Sequence, residues 1–245
     1  MSSLSKEFDA LRIPGELLQS GKKMAVIIEK MISYETEDEL LKLVSIISRF
    51  KHNNIATFVG FSYGDGNSYI VTECEVNGNV GQILNIVPVS GSSSINFEEV
   101  NKNLTCSQRL KIRLGVARAL SHIHGCDVRY SDFSSTRILL DKDLEAKVVA
   151  FGIIIEKKCY FTFSCYTDPE FKKTQLVSQK SDVYSFGVVL IDMFCQHFAN
   201  SLRGVDTEYS GIDYTHFDDD IRQQMHSLRA LTILSKTLNK CLNEV

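Results

Sequence analysis

The sequence predicts an α+β protein in two lobes: a small N-terminal lobe with an antiparallel sheet and one helix, and a mainly helical C-terminal lobe. Short apolar runs bounded by glycine, asparagine and aspartate dominate residues 1–75. From residue 104 onward, longer segments carry apolar residues at helical spacing. A polar break at residues 75–79 (EVNGN) marks the junction between the two lobes.

In the N-terminal lobe, residues 21–28 (GKKMAVII) predict a turn that enters a strand. Residues 36–50 carry apolar side chains at helical spacing and predict the single helix. Residues 57–62 and 68–73 are strand-like runs on either side of a Gly-Asp-Gly-Asn turn, which predicts a hairpin.

In the C-terminal lobe, residues 104–124 predict a buried helix, with Thr105 or Ser107 as its N-cap. Residues 138–140 and 146–151 are short apolar runs joined by an aspartate-rich turn, which predicts a second hairpin. A central helix is predicted for residues 180–194, which are apolar nearly all round after a Ser-Asp cap. Residues 202–220 are loop-like, and residues 221–242 predict a closing helix.

The composition excludes several classes of function. The chain has 245 residues, 44% of them apolar, and a net charge of −3, which gives no electrostatic reason to bind nucleic acid or a membrane surface. Its seven cysteines lack CxxC spacing, which predicts reduced thiols rather than a zinc site or disulfides. No run approaches the ~20 apolar residues of a membrane span, so we expect a cytoplasmic protein.

Seven motifs occur in a characteristic order along the chain: HNNI (52–55), YIVTE (69–73), LSHIH (120–124), SDFSSTRILLD (131–141), AKVVAFG (146–152), DPEF (168–171) and KSDVYSFGVVL (180–190). Together they resemble a protein kinase domain and are most similar to the Pelle-type Ser/Thr kinase domains of plant receptor-like kinases. The resemblance implies one kinase-like domain over residues 1–245. Its N-lobe, about 1–75, is expected to lack the first strand and the glycine-rich loop, and its C-lobe, 76–245, the last helix.

The resemblance also implies that catalysis is lost or severely impaired. Asp132 stands where kinases carry the carboxylate that accepts the substrate hydroxyl proton, but Arg137 replaces the asparagine that binds magnesium. Ala150 replaces the metal-binding aspartate of the Asp-Phe-Gly motif, and alanine has no oxygen to coordinate a metal. Ile27 and Leu43 stand where the phosphate-binding lysine and its glutamate partner belong. No metal site is therefore expected.

A nucleotide pocket without a metal stays open. By the resemblance, Ala25 and Leu139 fall where kinases sandwich the adenine ring, and Thr72 falls at the gatekeeper position. Glu73 and Cys74 could offer backbone hydrogen bonds to the adenine. No cofactor is required by this interpretation, and ATP binding without a metal remains an alternative.

Several charged and aromatic residues are expected to have structural roles. The favoured role for Asp132 is an ion pair with Arg137 or a turn hydrogen bond, and a surviving catalytic base is the alternative. By the resemblance, Asp182 grips the backbone of the catalytic loop, and Tyr130 takes the place of a histidine in the hydrophobic column of the family. The run at residues 218–220 (DDD) is interpreted as a solvated loop rather than a metal site.

Three hypotheses about function follow. The favoured one is a pseudokinase that serves as a signalling or scaffold module for an active kinase or receptor, since phosphoryl transfer depends on charge stabilisation by the metal and the lysine. The alternatives are a weak ATP-dependent Ser/Thr protein kinase that uses Asp132 and a truncated, non-functional paralogue. Any association with the inner face of the plasma membrane would come through a partner. By the resemblance, Thr162, Ser164 and Thr167 lie in the equivalent of the activation segment, and their position alone would allow phosphorylation by another kinase.

Overall fold

The computed structural model confirms the α+β class and the division into a sheet-containing N-lobe and a helical C-lobe. The structure describes residues 12–19, 22–31, 36–64, 67–73, 77–86, 104–130, 133–150, 165–202, 211–225 and 227–243. No helix within these ranges is both long enough and apolar enough to cross a membrane.

The N-lobe sheet is fully antiparallel, with the strand order β1-β2-β4-β3. Its strands are β1 (Arg12–Gln19), β2 (Lys22–Met31), β3 (Phe58–Gly64) and β4 (Asn67–Glu73). The predicted hairpin is confirmed as β3–β4. Strand β1 was not predicted, because Pro14 and Gly15 both disfavour a strand. This strand lies at the edge of the described sheet, where only one side needs partners.

One helix, α1 (Glu37–Ile47), packs against this sheet and matches the prediction. Thr36 caps it through a capping box, in which the Glu39 carboxylate accepts the Thr36 backbone N–H at 3.3 Å. The apolar face of α1 buries Leu40, Leu43 and Ile47, so burial of this face fixes the orientation of the helix.

The C-lobe is built around α3 and α5. Its elements are α2 (Val80–Ile83), α3 (Cys106–Gly125), β5 (Ile138–Leu140), β6 (Ala146–Val148), α4 (Pro169–Thr174), α5 (Gln179–Phe194), α6 (Gln196–Leu202), α7 (Asp219–Gln224) and α8 (Leu228–Asn243). Thr105 caps α3, as one of the two predicted candidates. The hairpin predicted for residues 138–151 is confirmed, although β6 ends at Val148.

Three details of the C-lobe differ from the prediction. The cap of α5 is Ser178 rather than the Ser-Asp pair, since Ser181 is the third residue of a capping box that begins one turn earlier. The predicted closing helix is two helices, α7 and α8. Helix α6 was not predicted: the buried Asp218 carboxylate accepts the backbone N–H groups of Gln196 and His197, at 2.9 and 3.1 Å, and caps this helix from 22 and 21 residues away.

The interpretation of the acidic run at residues 218–220 as a solvated loop is wrong for Asp218. Its side chain is buried, and one of its oxygens lies 4.0 Å from Nη1 of the buried Arg109. The guanidinium of Arg109 contacts Asp220 at 3.4 Å as well, and it donates to the carbonyl of Met193 in α5. The acidic run therefore joins α7 to the centre of the lobe. The described residues contain no group of three or more side chains placed to hold a metal ion.

The buried apolar residues form one contiguous core that extends through both lobes. It includes Leu43 and Ile70 from the N-lobe, and Ile138, Val188 and Phe217 from the C-lobe. The segment that follows the junction is held against the β5–β6 hairpin, because Asn77 donates to Leu140 and Leu140 donates to Gly78. The two lobes are thus connected by packing and by backbone hydrogen bonds.

Candidate functional site

The candidate site lies at the end of the β5–β6 hairpin, where the two strands bring Arg137 and Ala150 close together. Ile138 pairs with Val148 across the hairpin, and the backbone N–H of Val149 donates to the carbonyl of Arg137 at 3.0 Å. Residues 135–137 form one 3-10 turn immediately before β5. The two positions that would carry the metal ligands of a kinase therefore lie side by side, and they hold a guanidinium and a methyl group.

Arg137 reaches across to the N-lobe and forms a buried ion pair with Glu29 of β2. Its Nη1 atom lies 2.7 Å from Oε1 of Glu29, and the two residues are 7% and 8% exposed. Glu29 lies two residues after Ile27 on the same strand face, because side chains alternate along a strand. The site thus pairs an N-lobe anion with a C-lobe cation, whereas the kinase arrangement implied by the resemblance pairs an N-lobe lysine with a glutamate of the N-lobe helix.

The two positions at which the resemblance implies a lysine and its glutamate partner are apolar and packed. Leu43 is fully buried on α1, and Ile27 packs against the core from β2. Ile27 pairs directly with Thr72 of β4 in the sheet register. The Glu39 carboxylate is engaged at the start of α1, in the capping box with Thr36.

Asp182 fixes the backbone that leads into the catalytic-loop segment, as the resemblance implied. Its Oδ2 atom accepts the backbone N–H of Tyr130 at 2.8 Å and lies 2.8 Å from Nε2 of His124. The Tyr130 hydroxyl donates to the carbonyl of Val149, and its ring packs edge-on against Phe133 with centroids 5.2 Å apart. Tyr130 is completely buried, so it ties the loop to the hairpin from inside the core.

A second, partly buried network connects the catalytic-loop segment to α5 through Tyr166. The Tyr166 hydroxyl donates to the Asp192 carboxylate at 2.5 Å and lies 2.9 Å from the Ser135 hydroxyl. Burial, together with the Asp192 charge, raises the pKa of Tyr166 well above its ordinary value. The phenol therefore stays neutral and serves as a hydrogen-bond bridge. The backbone carbonyl of Tyr166 also accepts a bond from Ser185, at 2.8 Å.

The residues proposed for an adenine pocket are placed as follows. Thr72 and Leu139 are buried and Ala25 is exposed, while the backbone N–H of Glu73 already donates to Thr57 at 3.0 Å. The Glu73 N–H is thus already used, and the Glu73 carbonyl is the backbone group of this residue that could accept a hydrogen bond from an adenine. Cys74 lies outside the described residues.

Asp132, the position of the remnant proton acceptor, also lies outside the described residues, and so does its predicted contact with Arg137. Phe151, Thr162 and Ser164 lie outside them too. The described part of the site therefore consists of the Arg137–Glu29 ion pair, the β5–β6 hairpin and the two hydrogen-bond networks around Tyr130 and Tyr166.

Sequence reasoning missed Glu29 and the Tyr166–Asp192 contact. A signal for Glu29 was present, since its carboxylate follows Ile27 on the inward-facing side of an otherwise apolar strand, where an acid requires a partner. Its partner is 108 residues away, so the pair itself could not be identified. Asp192 gave a similar signal, as an acid within a helix that is apolar nearly all round.

Comparison with known proteins supports the resemblance to kinases independently of the sequence motifs. The family model described as protein tyrosine and serine/threonine kinase matches residues 13–244. Among curated Arabidopsis thaliana proteins, the probable serine/threonine-protein kinase PBL28 is 24% identical over 255 residues, which covers 92% of this chain and 64% of that protein. The LRR receptor-like serine/threonine-protein kinase ERECTA is 32% identical over 182 residues, which covers 70% of this chain and 17% of that protein. The chain thus spans less than two thirds of either relative.

The fold is also similar to a solved structure of the pseudokinase domain of BIR2, described as an immune regulator of the RLK/Pelle family. The match has a TM-score of 0.68 at 20% sequence identity, and it covers 100% of this chain and 78% of that one. At this level of identity, the likeness concerns the fold.

Proposed function

Because this chain belongs to the protein tyrosine and serine/threonine kinase family, we propose that it acts as a pseudokinase, a kinase-like domain that binds a protein partner and does not transfer phosphate. The observation that carries the proposal is the buried ion pair between Arg137 and Glu29. Arg137 stands at the position of a metal ligand, and the pair joins the two lobes across the site at which a magnesium nucleotide would bind.

The chemistry of the two substituted ligand positions opposes magnesium. A guanidinium has donors only, and an alanine methyl has neither donor nor acceptor, whereas Mg²⁺ requires oxygen ligands at about 2.0–2.1 Å. The carboxylate of Glu29 does not supply a simple substitute, because its Oε1 atom already accepts from Arg137. Separating a buried pair of this kind costs about 3–5 kcal/mol, which a weakly held metal would have to offset.

The loss of several charged groups together favours a complete rather than a partial loss of activity. Phosphoryl transfer relies on positioning and on electrostatic stabilisation, and the loss of a single stabilising group costs about 10²–10³ in rate. Ile27, Arg137 and Ala150 replace three such groups. We infer a rate reduction of many orders of magnitude, even if Asp132 remains able to accept a proton.

The partner is proposed to be an active kinase or a receptor kinase. Support comes from the relatives, which include a probable serine/threonine-protein kinase and a receptor-like serine/threonine-protein kinase, and from the pseudokinase neighbour described as an immune regulator. A contiguous core through both lobes supports a folded binding module rather than a degraded copy without stable structure.

The proposal is tested by thermal unfolding of the purified chain with ATP and MgCl₂, with ATP and EDTA, and with MgCl₂ alone. We expect magnesium to produce no stabilisation beyond that given by ATP with EDTA, because neither the guanidinium of Arg137 nor the methyl group of Ala150 provides an oxygen ligand. A metal-dependent rise in the melting temperature would contradict the pseudokinase proposal. A rise with ATP that is independent of the metal would support an adenine pocket around Thr72 and Leu139.

Radiolabelled phosphate transfer tests the enzymatic alternative directly. Transfer that is abolished by Asp132→Asn would establish the weak-kinase alternative, and the same assay on the Arg137→Met variant would show whether the ion pair limits it. We expect no transfer above background from either the natural chain or the Asp132→Asn variant.

A further inference from the structure

A shallow depression lies on a different surface, where the segment between α1 and β3 meets helix α3. Its volume is about 450 Å³, and it is lined by His52, Ala117, Arg118, Ser121 and His122. The lining residues are therefore donors or small apolar groups, and they include no carboxylate.

The position of His52 beside α3 is fixed by the residue two places later. The Asn54 side chain donates to the carbonyl of Ala146 at 3.0 Å, and a Cβ atom on Gly115 of α3 would come within 2.7 Å of its Nδ2 atom. The backbone of Asn54 accepts the Val148 N–H at 2.8 Å. This close packing of the segment against α3 and β6 preorganises the depression.

The hydrogen bonding of His52 determines which ring nitrogen can donate. The backbone N–H of Asn54 points at Nδ1 of His52 over 3.0 Å. Because a backbone N–H can only donate, Nδ1 is the acceptor, and the proton of the neutral ring is on Nε2. The His122 ring lies 5.1 Å from the His52 ring, centroid to centroid, at an angle of 30°. The two imidazoles thus form one side of the depression.

Positive charge accumulates at this place. Burial lowers the pKa of His52, and the charges of His122, Arg118 and Lys147 lower it further. Within the described part of the chain, no carboxylate forms a salt bridge with Arg118 or Lys147. This excess of donors and positive charge stands out in a protein whose net charge is −3.

We propose that this depression binds the phosphate group of a phosphorylated serine or threonine side chain on a partner protein. A phosphate monoester carries about −1.5 to −2 charges at pH 7, and arginine can bind it through two parallel hydrogen bonds. Arg118 supplies this group, while Nε2 of His52 and the Ser121 hydroxyl offer further donors. The phosphate would also supply the negative charge that the cluster lacks.

The site is distinct from the candidate nucleotide site, which lies between β2 and the β5–β6 hairpin. The choice of a partner protein as the source of the phosphate rests on the proposed function, in which the chain docks on an active kinase or receptor. The phosphate-binding chemistry itself does not depend on that proposal.

The test is a titration of the isotopically labelled chain with the tripeptide Gly-phosphoserine-Gly, followed by NMR of the histidine Cε1–H groups. Of the six histidines, we expect saturable shifts at His52 and His122, together with a rise in the pKa of His52, because the bound anion favours the protonated ring. Gly-Ser-Gly at matched ionic strength is expected to cause no saturable shift. Single His52→Gln and His122→Gln variants assign the two signals.

Two variants of α3 separate a specific site from general electrostatic attraction. We expect Arg118→Gln to weaken binding of the phosphopeptide about tenfold, while Arg113→Gln, which removes the same charge outside the depression, leaves the affinity unchanged. Equal losses in both variants would overturn the proposal, as would the absence of saturable shifts. Shifts caused by inorganic phosphate but not by the phosphopeptide would also overturn it, since they would indicate a site for the free ion only. The thermal-shift test of the pseudokinase proposal does not involve this surface. Failure of the pseudokinase proposal and failure of the phosphate-site proposal are therefore recognised by different experiments.

Discussion

At the scale of single residues, the candidate site is defined by the buried ion pair between Arg137 and Glu29. The pair brings a buried cation and a buried anion together, with Nη1 of Arg137 2.7 Å from Oε1 of Glu29. An isolated buried charge is costly, and a hydrogen-bonded pair is tolerated because each ion satisfies the other. The pair therefore makes a buried arginine at position 137 compatible with a stable fold.

The ion pair predicts strong coupling between two distant positions. Arg137→Met should lower the free energy of unfolding by about 3–5 kcal/mol, because it removes the guanidinium from a buried carboxylate. The double variant Glu29→Met/Arg137→Met should recover most of that loss, since two apolar side chains of similar volume replace the pair. Urea unfolding of the natural chain, both single variants and the double variant measures the coupling.

A surface ion pair provides the matched control for this cycle. Lys111 and Glu145 lie 2.9 Å apart with roughly half-exposed side chains, so Lys111→Met is expected to leave the stability unchanged within error. Additive losses in the Glu29 and Arg137 variants would contradict the assigned pair, because two residues that do not interact show no coupling.

The sequence indicated one half of this pair and not the other. Arg137 could be identified because it interrupts a motif whose spacing is fixed, and Ala150 for the same reason. Glu29 belongs to no motif, and its role depends on a contact formed only when β2 and the hairpin come together in the folded chain. The capping role of Asp218 was hidden for the same reason, since it lies in one segment and caps a helix in another.

At the scale of elements, periodic segments were predictable and segments defined by tertiary contacts were not. Helices α1, α3 and α5 and the β3–β4 hairpin carry clear apolar periodicity or turn signals, and all were found within a few residues of their predicted bounds. Strand β1 contains residues that disfavour strands and forms because β2 offers it a partner. The break between α7 and α8 interrupts a pattern that remains helical on both sides of it.

The close packing of α3 predicts that replacing one glycine in this helix lowers the stability of the protein. An alanine at Gly115 would improve helix propensity by about 1 kcal/mol, but its Cβ would lie 2.7 Å from Nδ2 of Asn54 and 3.2 Å from Cβ of Ala146. Asn54 cannot move away freely because its side chain donates to the Ala146 carbonyl. We expect Gly115→Ala to lower the free energy of unfolding by about 1–3 kcal/mol, as overpacking commonly does.

The same helix contains the control for this substitution. A Cβ atom on Gly125, the last residue of α3, would meet nothing within 4 Å, so Gly125→Ala should be neutral or slightly stabilising. If thermal unfolding showed Gly115→Ala to be as stable as Gly125→Ala, the contact between Asn54 and α3 would not be as close as described. The preorganisation of the depression beside His52 would then be in doubt as well.

At the scale of the whole molecule, the connections between the lobes favour one rigid unit. Kinases sequester their substrates through closure of loops or domains. Here the ion pair between Glu29 and Arg137 crosses between the lobes, the apolar core is contiguous through both, and backbone bonds hold residues 77–78 against β5. A protein that presents a fixed surface to a partner has no need for such closure, and this agrees with the proposed binding role.

The final prediction is that the two lobes unfold together. The chain contains no tryptophan, so a single tryptophan introduced into either lobe reports on that lobe alone. Phe58 in β3 and Phe198 in α6 are partly buried aromatic residues packed against the core, which makes Phe58→Trp and Phe198→Trp suitable reporters. We expect coincident urea transitions from the two fluorescence signals, because a contiguous core leaves neither lobe with an independent set of stabilising contacts.

Adding Glu29→Met/Arg137→Met to each reporter separates the contribution of the core from that of the ion pair. If the core dominates, the transitions stay coincident in these variants, because the substitutions leave the buried apolar residues of both lobes in place. If the ion pair alone joined the lobes, the Phe58→Trp signal would move to a lower urea concentration than the Phe198→Trp signal. Separate transitions already in the single reporter variants would refute the rigid unit. The lobes would then be able to open independently, as the binding and release of a nucleotide require.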